Sequence, residues 1–111
     1  MKAKNQSGSY KVAILPIALR DVEQVVAYIA ESLENRSAAL RYADNFYAAF
    51  ESLAQLPYSR PLYEAPGTLT HEYRRESVGN YEIFYWIEEA RRQVTVARVI
   101  YARRDLSKQL K

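Results

Sequence analysis

Apolar residues recur at spacings of three and four through the first half of the chain and at spacings of two through the second, so the period itself divides the sequence into helices and strands. Tyr10 to Leu15 reads as a short strand. It is closed by Pro16, whose fixed φ and missing donor suit the first turn of a helix. From there Ala18, Val22, Val25, Val26, Ile29 and Leu33 place one apolar stripe on a helix running to about Glu34. Asn35-Arg36-Ser37 interrupts the pattern. Ala38 to Leu56 resumes it with Ala39, Tyr42, Phe46, Ala49, Phe50, Leu53 and Leu56, and Pro57 marks the end. Two such stripes predict an antiparallel helical hairpin with a shared buried face.

Tyr58 to Thr70 has no period and contains Pro61, Pro66 and Gly67, so it reads as an irregular loop that Tyr58 and Tyr63 pin down. Three β-rich runs follow, His71 to Val78, Tyr81 to Glu88 and Gln93 to Tyr101. Gly79-Asn80 and Glu89 to Arg92 separate them, which predicts an antiparallel meander. Alternation puts Tyr81, Ile83, Tyr85 and Ile87 on one face of the middle strand and Glu82, Phe84, Trp86 and Glu88 on the other. Along the last strand it sets Val94, Val96, Arg98 and Ile100 against Thr95, Ala97, Val99 and Tyr101. The expected architecture is an α+β domain, β-α-α-β-β-β, with the hairpin on one face of a small, mainly antiparallel sheet. The other face is left to a partner.

At 111 residues the chain is the size of one domain, read here as residues 10–111 behind a flexible lead-in of residues 1–9. No apolar run approaches the roughly 18 residues of a membrane span. The absence of Cys removes disulfides and thiolate chemistry, and with the polar Lys4 to Ser9 it points to a cytoplasmic setting. Net charge is +3, unevenly placed. Residues 91–111 hold seven basic groups against one acidic, whereas residues 1–90 hold nine against twelve. A basic end fits an anionic partner such as nucleic acid or an acidic protein segment, although a solvated surface is its ordinary explanation. Between Val12 and Ser107 every basic residue is Arg. Arg clamps anions but does not act as a base.

His71 is the single His, and without Cys or a second His it completes no common metal set. Three glycines cannot build a phosphate loop or a nucleophile elbow. Glu88-Glu89 reads as the solvated tip of a hairpin. One constellation rises above this background, with Arg74, Arg75, Arg98, Arg103 and Arg104 gathered with Tyr101 on the sheet and its exit. Tyr81 and Tyr85 belong with it by position but read more readily as core. Arg and Tyr together offer planar donors and stacking faces to an anionic partner. Cleaving RNA requires a proton carrier at both nucleophile and leaving group. Tyr101 is the best placed candidate, and it needs a much lowered pKa to serve as a base near pH 7. Binding without cleavage is the simpler use of this surface.

The element order resembles the RelE/ParE superfamily of toxins from bacterial type II toxin–antitoxin modules, as do Leu15-Pro16-Ile17-Ala18-Leu19-Arg20-Asp21-Val22, the helix end Leu53 to Pro57, Arg74-Arg75, Val78-Gly79-Asn80-Tyr81-Glu82-Ile83-Phe84-Tyr85 and Arg98-Val99-Ile100-Tyr101-Ala102-Arg103-Arg104-Asp105-Leu106. The resemblance implies a growth-inhibiting toxin of a plasmid-stabilisation module, neutralised by a cognate antitoxin, with no cofactor and no metal. It leaves a homodimer open. Relatives that cleave mRNA commonly carry Arg where this chain has Glu82, and many have His at the place of Tyr101. The Arg-rich exit from the last strand is similar to that of ParE-like members. The resemblance thus favours a non-enzymatic, ParE-like inhibitor of DNA gyrase over a RelE-like ribosome-dependent mRNA interferase or an inactive relative that binds only its antitoxin. It implies target or antitoxin contacts at Arg74, Arg75, Arg98, Tyr101, Arg103 and Arg104.

Overall fold

The computed structural model describes residues 9–64 and 70–102. Within them the order is β1 (Lys11–Ile14), α1 (Pro16–Ala27), α2 (Arg36–Ser52), β2 (Arg74–Val78), β3 (Tyr81–Glu88) and β4 (Gln93–Tyr101), which is the expected β-α-α-β-β-β. The sheet runs β1-β4-β3-β2, with β2 to β4 antiparallel and β1 parallel to β4. The crossover from β1 to β4 is carried by everything between them, so the first strand lies against the last. Of the expected lead-in, residues 1–8 lie outside the described residues, while Ser9 bridges Gln55.

Pro16 opens α1, and the Leu15 carbonyl accepts the amides of Ala18 and Leu19. The stripe continues through a π turn, Tyr28–Ser32, which buries Ile29 and leaves Tyr28 and Leu33 exposed. Glu34 then takes a left-handed φ of 51° and the Asn35 amide reaches back to the Ile29 carbonyl, a bond that closes the helix end. Asn35 also starts α2, its Oδ1 accepting the Ala38 amide. The second helix therefore begins at Arg36, two residues before the apolar stripe requires.

The main core lies between the hairpin and one sheet face, where Ala18, Val22, Phe46, Phe50 and Leu53 meet Ile83, Tyr85, Val94, Val96 and Val99. Tyr81 packs at its margin and Tyr85 is fully buried, its hydroxyl donating to the Pro57 carbonyl at 2.7 Å. Burial pushes that phenol up to about 12. Gly79 turns β2 into β3 at a φ of 57°, with the Tyr42 ring against its α-carbon. The opposite face carries a smaller cluster of Tyr73, Phe84, Ala97 and Ile100, covered by Leu15, Tyr63 and Trp86. Among the described residues no helix is long and apolar enough to cross a membrane.

One expectation fails on β4. The β3–β4 register shifts between Phe84 and Tyr85, pairing Phe84 with Arg98 but Tyr85 with Val96. Ala97 is the extra residue of this bulge. Beyond it the alternation changes phase, so Val99 joins Val94 and Val96 in the main core while Ile100 joins Ala97 on the opposite face.

Candidate functional site

A groove of about 740 Å³ opens where the end of the hairpin passes the end of the sheet. Its walls are Tyr28, Ile29, Leu33 and Tyr42 from the helices and Tyr81 and Tyr101 from the strands, with Asp21 and Arg98 at its side. Asp21 lies on the buried stripe of α1, three residues after Ala18, and meets Arg98 just past the bulge, where β4 has run beyond the end of β1. Arg98 donates through Nε and Nη2 to the two carboxylate oxygens, and the Val99 amide donates to Oδ2 at 2.9 Å. β1 pairs with β4 only as far as Val96, so past that point Asp21 takes the place of a strand as acceptor. The hydrogen bonds to Asp21 raise the Arg98 pKa further above its ordinary range. An acid on an apolar helix stripe signals a buried cationic partner. Which residue that is stays hidden in the sequence, because the two partners lie 77 residues apart.

Tyr101 stands at the groove's rim, 36% exposed, with its ring 5.5 Å edge-on from Tyr81. Its hydroxyl hydrogen-bonds nothing among the described residues. Glu82, on the opposite face, accepts the Ser77 hydroxyl at 2.9 Å through Oε2, while its buried Oε1 has no partner among the described residues. Arg74 and Arg75 fall on opposite faces of β2. Arg74 donates to the carbonyls of Tyr58 and Arg60 and lies over the Tyr58 ring, which ties down the segment before β2. Arg75 lies over Tyr63. Arg103 and Arg104 lie outside the described residues. The expected constellation therefore separates into Arg98 and Tyr101 at the groove and two arginines that hold Tyr58, Arg60 and Tyr63 against β2.

At the far end of the sheet, Glu88 and Glu89 are organised rather than merely solvated. Glu89 Oε1 accepts the hydroxyls of Tyr10 and Tyr58 at 2.8 and 2.9 Å, and Arg92 pairs with Oε2 at 3.2 Å and lies over the Tyr10 ring. The Tyr10 hydroxyl, seconded by that of Tyr58, holds the Glu89 carboxyl below its usual range, and Glu89 in turn holds both phenols above theirs. Trp86 Nε1 does the same for Glu88, lowering its pKa by donating to Oε2. Among the described residues no group of His, Asp or Glu is placed to hold a metal ion.

Comparison with known proteins adds to this geometry. No curated protein matches the chain. The fold is similar to that of the chromosomal ParDE system from P. aeruginosa, at a TM-score of 0.67 and 15% identity, covering 86% of this chain and 98% of that one. It is similar to the archaeal RelE-RelB complex from Pyrococcus horikoshii OT3, at 0.59 and 14%, with coverage of 86% and 98%. It is also similar to the toxin-antitoxin complex RelBE2 from Mycobacterium tuberculosis, at 0.52 and 20%, covering 88% and 97%. At these identities the likeness is one of fold. The family model for the ParE toxin of the type II toxin-antitoxin system, parDE, matches residues 12–106. With nearly the whole described fold inside that match, the chain belongs to the ParE toxin family of type II toxin–antitoxin systems.

Proposed function

We propose that this chain is a toxin that poisons DNA gyrase and is held inactive in the cytoplasm by a cognate antitoxin. The observation that carries the reading is the family match across residues 12–106. The chemistry of the site supports inhibition by binding over RNA cleavage. Arg98 is committed to Asp21, and Tyr101 has no general acid or base bonded to it among the described residues. Solved relatives are described as complexes with their antitoxins, which supports an antitoxin for this chain as well.

The groove is the natural seat for an antitoxin segment, because Tyr28 and Leu33 leave it with an exposed apolar rim and Arg98 and Tyr101 line it. Arg103 and Arg104, which follow Tyr101 and Ala102 in sequence, are the further partner contacts of this proposal. The test is to incubate antitoxin-free protein with gyrase, ATP and relaxed plasmid. Loss of supercoiling with accumulation of cleaved plasmid is expected. Gyrase that stays fully active at toxin excess, with messages cut on translating ribosomes, overturns the reading. Replacing Arg103 and Arg104 together by Ala is expected to weaken toxicity or antitoxin affinity at least about ten-fold, the scale of one lost charge-assisted contact.

A further inference from the structure

The sheet face turned away from the helices carries an arrangement that the groove does not use. His71 lies flat on Trp86, with ring centroids 3.6 Å apart and planes 5° from parallel, and Tyr73 stands edge-on to the same indole at 5.9 Å. The platform is oriented by the bond from Trp86 Nε1 to Glu88 Oε2, whereas His71 is exposed and sits three residues ahead of β2. An imidazole on an anchored indole is a small flat heterocycle held by ring contacts, stacked on Trp86 and edge-on to Tyr73 at 6.0 Å.

Two further features surround the platform. β2 begins at Arg74, opposite Tyr85, so Trp86, Ile87 and Glu88 have a strand partner only on the β4 side. The notch this leaves holds a cavity of about 120 Å³ between Tyr58, Glu72, Arg74 and Trp86, which is room for a single ring system and not for a helix. On the same face Arg75 lies directly across from Phe84, its guanidinium over Tyr63 and itself in no ion pair or hydrogen bond among the described residues. A stacking plane, a carboxylate and an unpaired strand edge, with a guanidinium one residue pair away, are the parts needed to hold a base by its face and edge and a phosphate by its charge.

We propose that this notch binds one nucleobase, stacked on Trp86 in the place of His71, with its amino edge toward Glu72 and its phosphate toward Arg75. The ligand is a nucleotide, either free or as one unit of a single strand. The site is separate from the groove and does not depend on the gyrase reading.

Trp86 is the only Trp in the chain, so fluorescence excited beyond the tyrosine absorption reads the platform alone. The full chain is titrated at low salt with AMP, with an oligo-dA strand of about eight nucleotides, and with inorganic phosphate. Saturable quenching by AMP or the strand is expected. Much tighter binding of the strand identifies nucleic acid as the source, and equal binding identifies the free nucleotide. With a dye-labelled strand or nucleotide, Trp86→Phe and Arg75→Gln are each expected to weaken binding about ten-fold, and His71→Ala to bind at least as tightly because the ring to be displaced is gone. The proposal is overturned by absence of quenching, by equal quenching with phosphate, by loss of binding in His71→Ala, or by unchanged binding in both of the other variants when circular dichroism shows them folded.

Discussion

Asp21 and Arg98 lie 77 residues apart in sequence and meet in a two-point ion pair, Nε to Oδ2 at 2.8 Å and Nη2 to Oδ1 at 3.0 Å, with both side chains largely shielded from water. The same carboxylate accepts the Val99 amide, so one helix residue fixes both the backbone and the side chain of β4 just past its bulge. Asp21→Ala leaves a shielded guanidinium and a buried amide without their acceptor. We expect a loss of roughly 2 to 4 kcal/mol in urea unfolding. Arg98→Met leaves the more deeply buried Asp21 carboxylate with the Val99 amide and is expected to cost a similar amount, while the double variant costs less than the sum of the two; strictly additive losses would contradict this account.

The turn between the helices makes a second prediction. Asn35 closes one helix through its amide and opens the next through its side chain, and Glu34 supplies the left-handed residue between them. Asn35→Ala removes the cap and should cost about 1 kcal/mol. Glu34→Gly should stabilise by up to about 1 kcal/mol, because a side chain at positive φ is strained and glycine is not. Thermal unfolding of the two variants should move in opposite directions.

What could be read from sequence follows from how local each feature is. The stripes of α1 and α2 and the alternation of β3 are set by residues a few positions apart, and Tyr85 and Phe84 fall on the faces that alternation assigns. The bulge at Ala97 depends on the register with β3, and the parallel pairing of Lys11–Ile14 with Gln93–Val96 on the whole crossover. Neither leaves a mark in a single strand. The Glu89 cluster joins residues 10, 58, 89 and 92, which no sequence period connects, so Glu88-Glu89 reads as a bare turn until the fold brings the tyrosines to it.

That cluster gives stability a pH dependence on two sides. Glu89 has a folded pKa below its unfolded one, so its contribution is present above the ordinary glutamate range and is lost as pH falls through the depressed value. Tyr10 and Tyr58 are shifted up, so theirs is present below the ordinary tyrosine range and is lost as pH rises through the raised values. The melting temperature should decline at both extremes. Glu89→Gln should flatten both declines relative to the unmodified chain, and a variant whose profile keeps both would show that the cluster is not their origin.

The last prediction separates binding from chemistry at the groove. The Tyr101 hydroxyl is unbonded among the described residues while its ring packs edge-on to Tyr81, so the ring and not the oxygen is what holds this side chain in place. Tyr101→Phe keeps that ring contact and is expected to retain toxicity within about two-fold, since an exposed hydroxyl without a partner contributes little to a fold or an interface. Tyr101→Ala deletes the ring from the rim and should weaken antitoxin or target binding by about ten-fold, a typical cost of truncating an aromatic anchor. Growth inhibition on induced expression and antitoxin titration measure the two effects separately. A folded Tyr101→Phe protein that still binds its target but no longer arrests growth would assign the hydroxyl a proton-transfer role and move this toxin to the RNA-cleaving branch.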